Sequence, residues 1–443
     1  MVLRIVLLIP FLAMPLPFCF GQGQPDYHRI TQRSNLSGSV SGPGGMVPIK
    51  GEAIVEYDER ILERLATGEP VRTVRHYAKA KLVRDQAGQA GEGYLRAALN
   101  PIVILRQGTT EVPFSPRGPM TLGEVDLLRT DVFVGALSGM LPPSGTKSGG
   151  SWLAPEAAIR ELTDLEKVQK GSLSCTLSGP PTGPPSGPPS GPPTRSSPGR
   201  ITFQGSVEGP QEEGLARHEI KGSLEPDGAG GIRQLDMVAT QILLGPGGTE
   251  RGRIVGRFTL DRKASIPASV PASVAPLSDA SLAGLKLTPD ETNTRLQVEV
   301  PHVGLGFTMS RRWRVIGQDD KQIRFGLPGG AEMLLTLEGG DRLPGLGELV
   351  QEGKAQLQKE KHQPGEPTPP VAKDGKGVRL DFTTIGVQLA DGKQERWIYG
   401  VSRLQNASGG LFAGRFPRLS WPFWEREIEE LQRLGISLYK LAK

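Results

Sequence analysis

The sequence predicts an α+β protein. An N-terminal antiparallel β-meander domain covered by two helices comes first, and a C-terminal α/β/α sandwich-like domain follows. Three observations carry this. Between residues 49 and 263, run after run alternates polar and apolar residues at period two, the mark of half-buried strands. Two stretches among them repeat at helical spacing instead. The chain also holds 59 Gly and 39 Pro with an apolar fraction of 37%, a composition of many turns and modest cores.

Residues 1–21 precede all of this. Arg4 gives a short positive start, Ile5 to Phe20 is apolar with prolines at 10, 15 and 17, and Cys19 and Gly21 sit where small exit residues belong. Together they read as a secretory signal peptide. The run is too short and too broken for a membrane span. Removal of this segment leaves Cys175 as the one cysteine of the mature chain, so no internal disulfide is possible. A secreted chain of this size without disulfides points to a bacterial envelope, in or beyond the periplasm.

Residues 22–48, rich in Ser, Gly and Gln, read as a disordered lead-in. The β-rich domain spans 49–263. Its first strand carries Ala53, Val55 and Tyr57 on one parity and Glu52, Glu56 and Asp58 on the other. A second strand sets Val74, Ala78, Ala80 and Leu82 against Arg75, Tyr77, Lys79 and Lys81, and residues 101–105 make a third. Thr121-Leu-Gly-Glu124 is a capping box opening a helix through Val125, Leu128 and Val132. Pro155 sits at the first turn of a second helix through Ala158, Ile159 and Leu162. Strands resume near Lys170 and continue at about 201–208, 217–224, 234–244 and 253–261. Within them the segment 179–199, built on a period-four Gly-Pro-Pro repeat, is an extended polyproline-type loop, since collagen needs Gly at every third position. Residues 264–291, with Pro-Ala-Ser-Val repeated, read as the interdomain linker.

The second domain spans 292–443. It offers several short strands, a polar helix near Leu346–Lys359, a Pro- and Lys-rich insertion at 360–377 read as disordered, and the pair Asp391-Gly392, a type I′ hairpin signal. A helix over Pro422–Leu434 and an apolar end at Ile436–Leu441 close the chain.

The order of these elements resembles the PsbP/Mog1-like fold. The residues that carry it are Gly306-Phe307-Thr308-Met309 with Trp313, the run 331–337, the Asp391-Gly392 hairpin, Leu411–Phe416, the last helix and Ile436-Ser437-Leu438. The resemblance covers about a third of the chain and implies a non-catalytic accessory, binding or assembly role. In the first domain, Leu141-Pro-Pro-Ser followed by Gly149-Gly-Ser-Trp152 resembles secreted bacterial proteins of unknown function. Its order of sheet and helices is also similar to the lipoprotein-carrier half-barrel, an analogy of fold alone.

Catalytic signatures are lacking. There is no G-x-S-x-G, no Walker A loop and no complete dinucleotide fingerprint. The five histidines are isolated; His218-Glu219 begins like a zinc motif, but Gly222 stands where the second ligand belongs. Cofactors, metal ligands and catalytic residues are therefore assigned as none. Cys175 reads as a small buried hydrophobe. The carboxylate pairs Glu124/Asp126 and Glu161/Asp164 leave one alternative open, a hydrolase of envelope polymers. Contact candidates are the basic strand face Arg75, Tyr77 and Lys79, then Trp313 among Arg311, Arg312 and Arg314, then Trp421 and Trp424 at the start of the last helix. The acids of the preceding strand also explain the first as cross-strand partners. A formal charge of +5 spread over 443 residues gives no footprint for nucleic acid. The leading expectation is a secreted or periplasmic, non-catalytic binding or assembly protein. Its partner would be an unknown envelope protein or an apolar small molecule, and the mature chain would hold no transmembrane span.

Overall fold

The computed structural model describes residues 27–441 except 43, 67–68, 108–109, 180–198, 212–213, 228–230, 265–275, 328–330, 340–343, 405–407 and 418–420. The segment read as a signal peptide and nearly all of the Gly-Pro-Pro loop lie outside the described residues.

Strand dominates: 57% of the structure is strand and 16% helical. The α+β expectation is overturned. In chain order the first half runs β1 (Tyr27–Gly42), β2 (Gly45–Arg64), β3 (Pro70–Gln86), β4 (Gln89–Tyr94), β5 (Ile102–Gln107), β6 (Thr110–Phe114), β7 (Met120–Thr121), α1 (Leu122–Arg129), a 3₁₀ segment Val134–Met140, β8 (Ser151–Leu153), α2 (Glu156–Thr163), β9 (Lys170–Leu177), β10 (Ile201–Gln211), β11 (Gly214–Pro226), β12 (Ile232–Leu244) and β13 (Glu250–Ala264). All but β7 join one 12-stranded antiparallel sheet in the order β6-β5-β3-β2-β1-β13-β12-β11-β10-β9-β8, with β4 on β3.

A flat sheet of that many strands would be roughly 50 Å wide at about 4.8 Å per strand. Two helices of eight residues, about 12 Å each, cannot cover it. Yet residues from β2, β10, β11 and β13 share one core cluster with Val125, Leu128, Leu137, Ile159 and Leu162. The sheet therefore curls around the 122–163 segment, and the two expected covering helices are its filling. The capping box at the start of α1 is formed in both directions, Thr121 accepting from the Glu124 amide and Glu124 from that of Thr121.

The disordered lead-in is also overturned from Tyr27 onward. β1 lies at the centre of the sheet, between β2 and β13. Its inward residues are Ile30, Gln32, Ser34 and Leu36, so half of the inward row is polar and the apolar alternation that marks a strand is missing.

The second half contains α3 (Asp279–Leu282), β14 (Leu296–Val300), β15 (Leu305–Met309), β16 (Arg314–Gln318), β17 (Gln322–Gly326), β18 (Glu332–Gly339), α4 (Leu346–Lys359), β19 (Gln363–Pro367), β20 (Val371–Gly375), β21 (Val378–Gln388), β22 (Gln394–Leu404), β23 (Ser408–Pro417), α5 (Trp421–Gly435) and β24 (Tyr439–Lys440). It is not a self-contained sandwich. One sheet has eight strands, and the other, β24-β15-β14-β7, takes β7 from the first half. The insertion at 360–377 forms strands β19 and β20, both paired to β21. Pro364 and Pro367 are tolerated because an edge strand can spare amides. The Asp391-Gly392 turn is not type I′. Only Gly392 has positive φ, and the Gly392 amide bonds back to Leu389, a longer loop closed by one left-handed glycine.

The described part of the expected linker is packed. Leu277 and Leu282 are buried with Val74, Val103 and Phe114. Among the described residues no helix is long and apolar enough to cross a membrane.

Candidate functional site

The most concentrated chemistry lies between the first three strands and the turn after α1. A single extra residue in β3 puts it there. Glu56 pairs with Lys79, but Tyr57 pairs with Tyr77, so Ala78 bulges. Past the bulge the side chains change faces. Arg75 and Tyr77 turn inward beside Glu59 and Tyr57, while Lys79 points outward beside Glu56. The predicted basic face of Arg75, Tyr77 and Lys79 therefore does not exist as a surface.

Arg75 has 2% of its side chain exposed, Asp131 1% and Glu59 5%. The Arg75 guanidinium donates to Asp131 Oδ2 at 2.5 Å and to Glu59 Oε2 at 3.0 Å. Tyr57 and Tyr77 hydroxyls donate to the two Asp131 oxygens at 3.1 and 3.2 Å. Gln32 donates to Asp131, and its Oε1 accepts from the Val132 amide at 2.9 Å. The Arg75 guanidinium also lies 4.6 Å over the Tyr57 ring and 5.7 Å from that of Phe133. Burial would depress the Arg75 pKa, but Asp131 and its neighbours more than reverse this and leave it raised. Burial raises the Asp131 carboxyl against the pull of Arg75.

A second group adjoins it. Glu161 on α2 accepts from the Phe133 amide at 2.6 Å. Arg106 on β5 lies 5.7 Å from the Phe133 ring and opposite Glu111 on β6. Burial pushes Glu111 up to about 7, with Arg75 opposing. Burial and then Glu111 hold Glu161 well above the usual carboxylate range. Of the pairs read from sequence, burial raises Glu161, while Asp164 stands exposed at the end of α2. Burial acts on Glu124 in the same sense, yet Arg96 at 2.7 Å and the amides of Thr121 and Arg96 hold it low.

A sealed cluster of this kind offers no path for substrate. What it does is fasten: six side chains from β1, β2, β3 and the post-α1 turn tie the filling segment to the sheet. Buried ion pairs add little net stability but penalise any arrangement that separates them.

Trp313 is buried at 2% exposure. Two of its neighbouring arginines are engaged, although the Arg312 side chain stays exposed. Arg311 donates to the Pro113 carbonyl of edge strand β6 at 2.6 Å, and Arg312 bonds buried Glu427 at 2.7 Å. Burial, then Arg129, pushes the Arg311 pKa down to about 10. Trp421 and Trp424 fall in α5, with side chains outside the described residues. Sequence reading missed Gln32, Glu59, Glu111 and Asp131. Only polar residues at inward positions of β1 and β2 marked the first two, and nothing in the pattern marked Glu111 or Asp131. Among the described residues no group of three or more His, Cys, Asp or Glu is placed to hold a metal.

Two surfaces remain. The outward sheet face bears shallow grooves of about 500 and 710 Å³ that meet at Val238 and Arg257, with Lys50, Glu52, Asp236 and Lys221 around them. Charges of both signs and hydroxyls line them together with Val83, Val238 and Val255, and Phe203 borders the larger one. The inward face differs. Toward the β1–β2 hairpin it carries Leu36, Val40, Val47, Ile49 and Ile254, Leu36 being 37% exposed and the rest half-buried. Val40 pairs with Val47, and Gly38 lies between Ile49 and Ile254. This end of the apolar row is incompletely covered by the filling segment.

No family model matches the chain, and no curated protein matches it in sequence. Among solved structures, a cyanobacterial PsbP (CyanoP) from Synechocystis sp. PCC 6803 aligns over 33% of this chain and 92% of its own, at 12% identity and a TM-score of 0.25. The translocator domain of the autotransporter NalP from Neisseria meningitidis aligns over 89% and 90%, at 10% identity and a TM-score of 0.13. The likeness to PsbP is thus weak and partial, and neither comparison fixes a fold for the whole chain.

Proposed function

We propose that this chain is a non-catalytic binding protein of the bacterial envelope that takes an apolar ligand on the inner face of its curled sheet. The observation that supports this reading is the half-covered row Leu36, Val40, Val47, Ile49 and Ile254. Apolar residues on the inside of a sheet are normally sealed, and this row is left half-buried with Leu36 exposed, which opens it to a contact. Glycines at 38, 51, 252 and 256 lie on the same face, with Leu36 packed over Gly51 and Val40 against Gly252.

The test is native mass spectrometry of the full chain purified gently from its own compartment, with Ile49→Asp as control. Extra mass that matches a lipid, disappears on denaturation and is lost in Ile49→Asp supports the reading. A bare mass from the native chain, or a ligand retained unchanged by Ile49→Asp, overturns it.

A further inference from the structure

The open apolar row continues into a polar pair. Ile49, Gly38, Ile254, Gln241 and His218 stand side by side across β2, β1, β13, β12 and β11. The line beside them on one side carries Leu243 and Ala216, and on the other Ala239 and Ile220. Gln241 and His218 therefore interrupt a face that is otherwise apolar. His218 is 5% exposed, and its Nε2 is buried without a hydrogen bond among the described residues. Burying such a nitrogen unpaired costs stability, and a leucine would fill the place without that cost. Gln241 is half-buried, at the border between the open row and the imidazole. Its Nε2 donates to Gln211 Oε1 at 2.7 Å, and Gln211 Nε2 donates to the Thr163 carbonyl at the end of α2 at 2.8 Å. The filling segment thus holds Gln241 in place, while Gln241 Oε1 accepts nothing among the described residues. An acceptor and an unpaired imidazole nitrogen lie next to each other, beside the row.

We propose that Gln241 and His218 bind the head of the apolar ligand, and that this head is an uncharged hydrogen-bonding group, a hydroxyl, ester or amide, and not a carboxylate or an ammonium. The inference rests on the binding reading and adds the ligand class to it. Ile49 and Gln241 are three strand spacings apart, about 14 Å. A tail laid across Gly38 between Ile49 and Ile254 brings its head to Gln241 Oε1, with His218 one strand further on. A neutral imidazole offers one donor and one acceptor nitrogen, and a hydroxyl can serve as either partner. A charged head finds no counter-charge on these lines. Arg217, Glu219 and Arg253 alternate onto the outer face, where they are exposed. His218 is itself neutral, since burial alone pushes it down to about 4. Placing a charge there without a partner is costly.

The experiment is isothermal titration calorimetry of the full chain at neutral pH with monolaurin and with laurate, each below its micelle-forming concentration. The two share a tail and differ in the head. Monolaurin is expected to bind about tenfold more tightly, the factor that one hydrogen bond carries. His218→Leu and Gln241→Leu are each expected to lose about that factor for monolaurin and to leave laurate unchanged, whereas Ile49→Asp is expected to weaken both. Equal binding of the two by the native chain, or tighter binding of laurate, overturns the head site and leaves the apolar row standing. Monolaurin affinity that survives both leucine variants overturns it as well. Binding of neither compound also overturns the head site, and the native mass measurement then decides the row by itself. The comparison of the two heads on the native chain does not depend on a variant folding.

Discussion

Replacing Arg75 by Met isolates the worth of the sealed cluster. Met approximates the stem and removes the cation. Asp131 keeps three donors, the hydroxyls of Tyr57 and Tyr77 and the Gln32 amide. Glu59 loses its 3.0 Å bond to Arg75 and keeps no hydrogen bond among the described residues. Removing one partner of a buried ion pair costs about 3–5 kcal/mol, and the stranded Glu59 places this case toward the upper end. Urea unfolding followed by tryptophan fluorescence reads the loss as a lower midpoint at constant slope. Adding Glu59→Leu and Asp131→Asn to Arg75→Met is expected to restore most of it, because no buried charge is then left alone. A loss below about 1 kcal/mol, the worth of a solvent-exposed pair, would refute the reasoning, since it would mean that water reaches the cluster.

Other consequences are equally direct. At Gly205 an added methyl would stand 2.0 Å from the Ser172 carbonyl oxygen, so Gly205→Ala must push β9 from β10 and is expected to cost at least about 1–3 kcal/mol by the same denaturation assay. His218 is buried on the inner face, and burial depresses its pKa from 6.5 to about 4. Its neutral form is thus favoured by folding, and that stability is complete above pH 6.5 and lost as pH falls through 4, up to about 3 kcal/mol. His218→Leu should flatten the acid limb of a stability–pH profile between pH 4 and 6.5, and an unchanged limb would show that the imidazole meets water.

Much of the strand content was legible in the chain. The runs that became β10, β11 and β13 alternate cleanly because one face is wet and the other dry. What alternation cannot supply is which strands meet. The pairing of β1 with β13 joins His28 to Ala264, and it converts two separate meanders into one sheet wide enough to curl. Without it, two helices beside a sheet read as a covering layer. The candidate site failed for a smaller reason. One unpaired residue, Ala78, exchanges the faces of everything beyond it, and no propensity marks it. Val74 added to the confusion by being buried on the outward side, under Leu277 and Leu282. The polar inward residues Gln32 and Glu59 were visible as exceptions to the pattern, yet an exception has meaning only once its partner across the fold is known.

The β1–β13 seam also sets the order in which the chain can become whole. A ribosome or translocation pore delivers β1 first and β13 some two hundred residues later, and neither central edge is satisfied until they meet. Pairings so distant in sequence close slowly, and an unpaired central strand invites wrong partners in the interval. Export as an unfolded thread, followed by closure in a single compartment, would spare the half-built sheet that wait. A nick or truncation that removes β13 would leave β1 unpaired on that side along the thirteen residues His28–Val40 and should yield aggregate, not a smaller soluble protein.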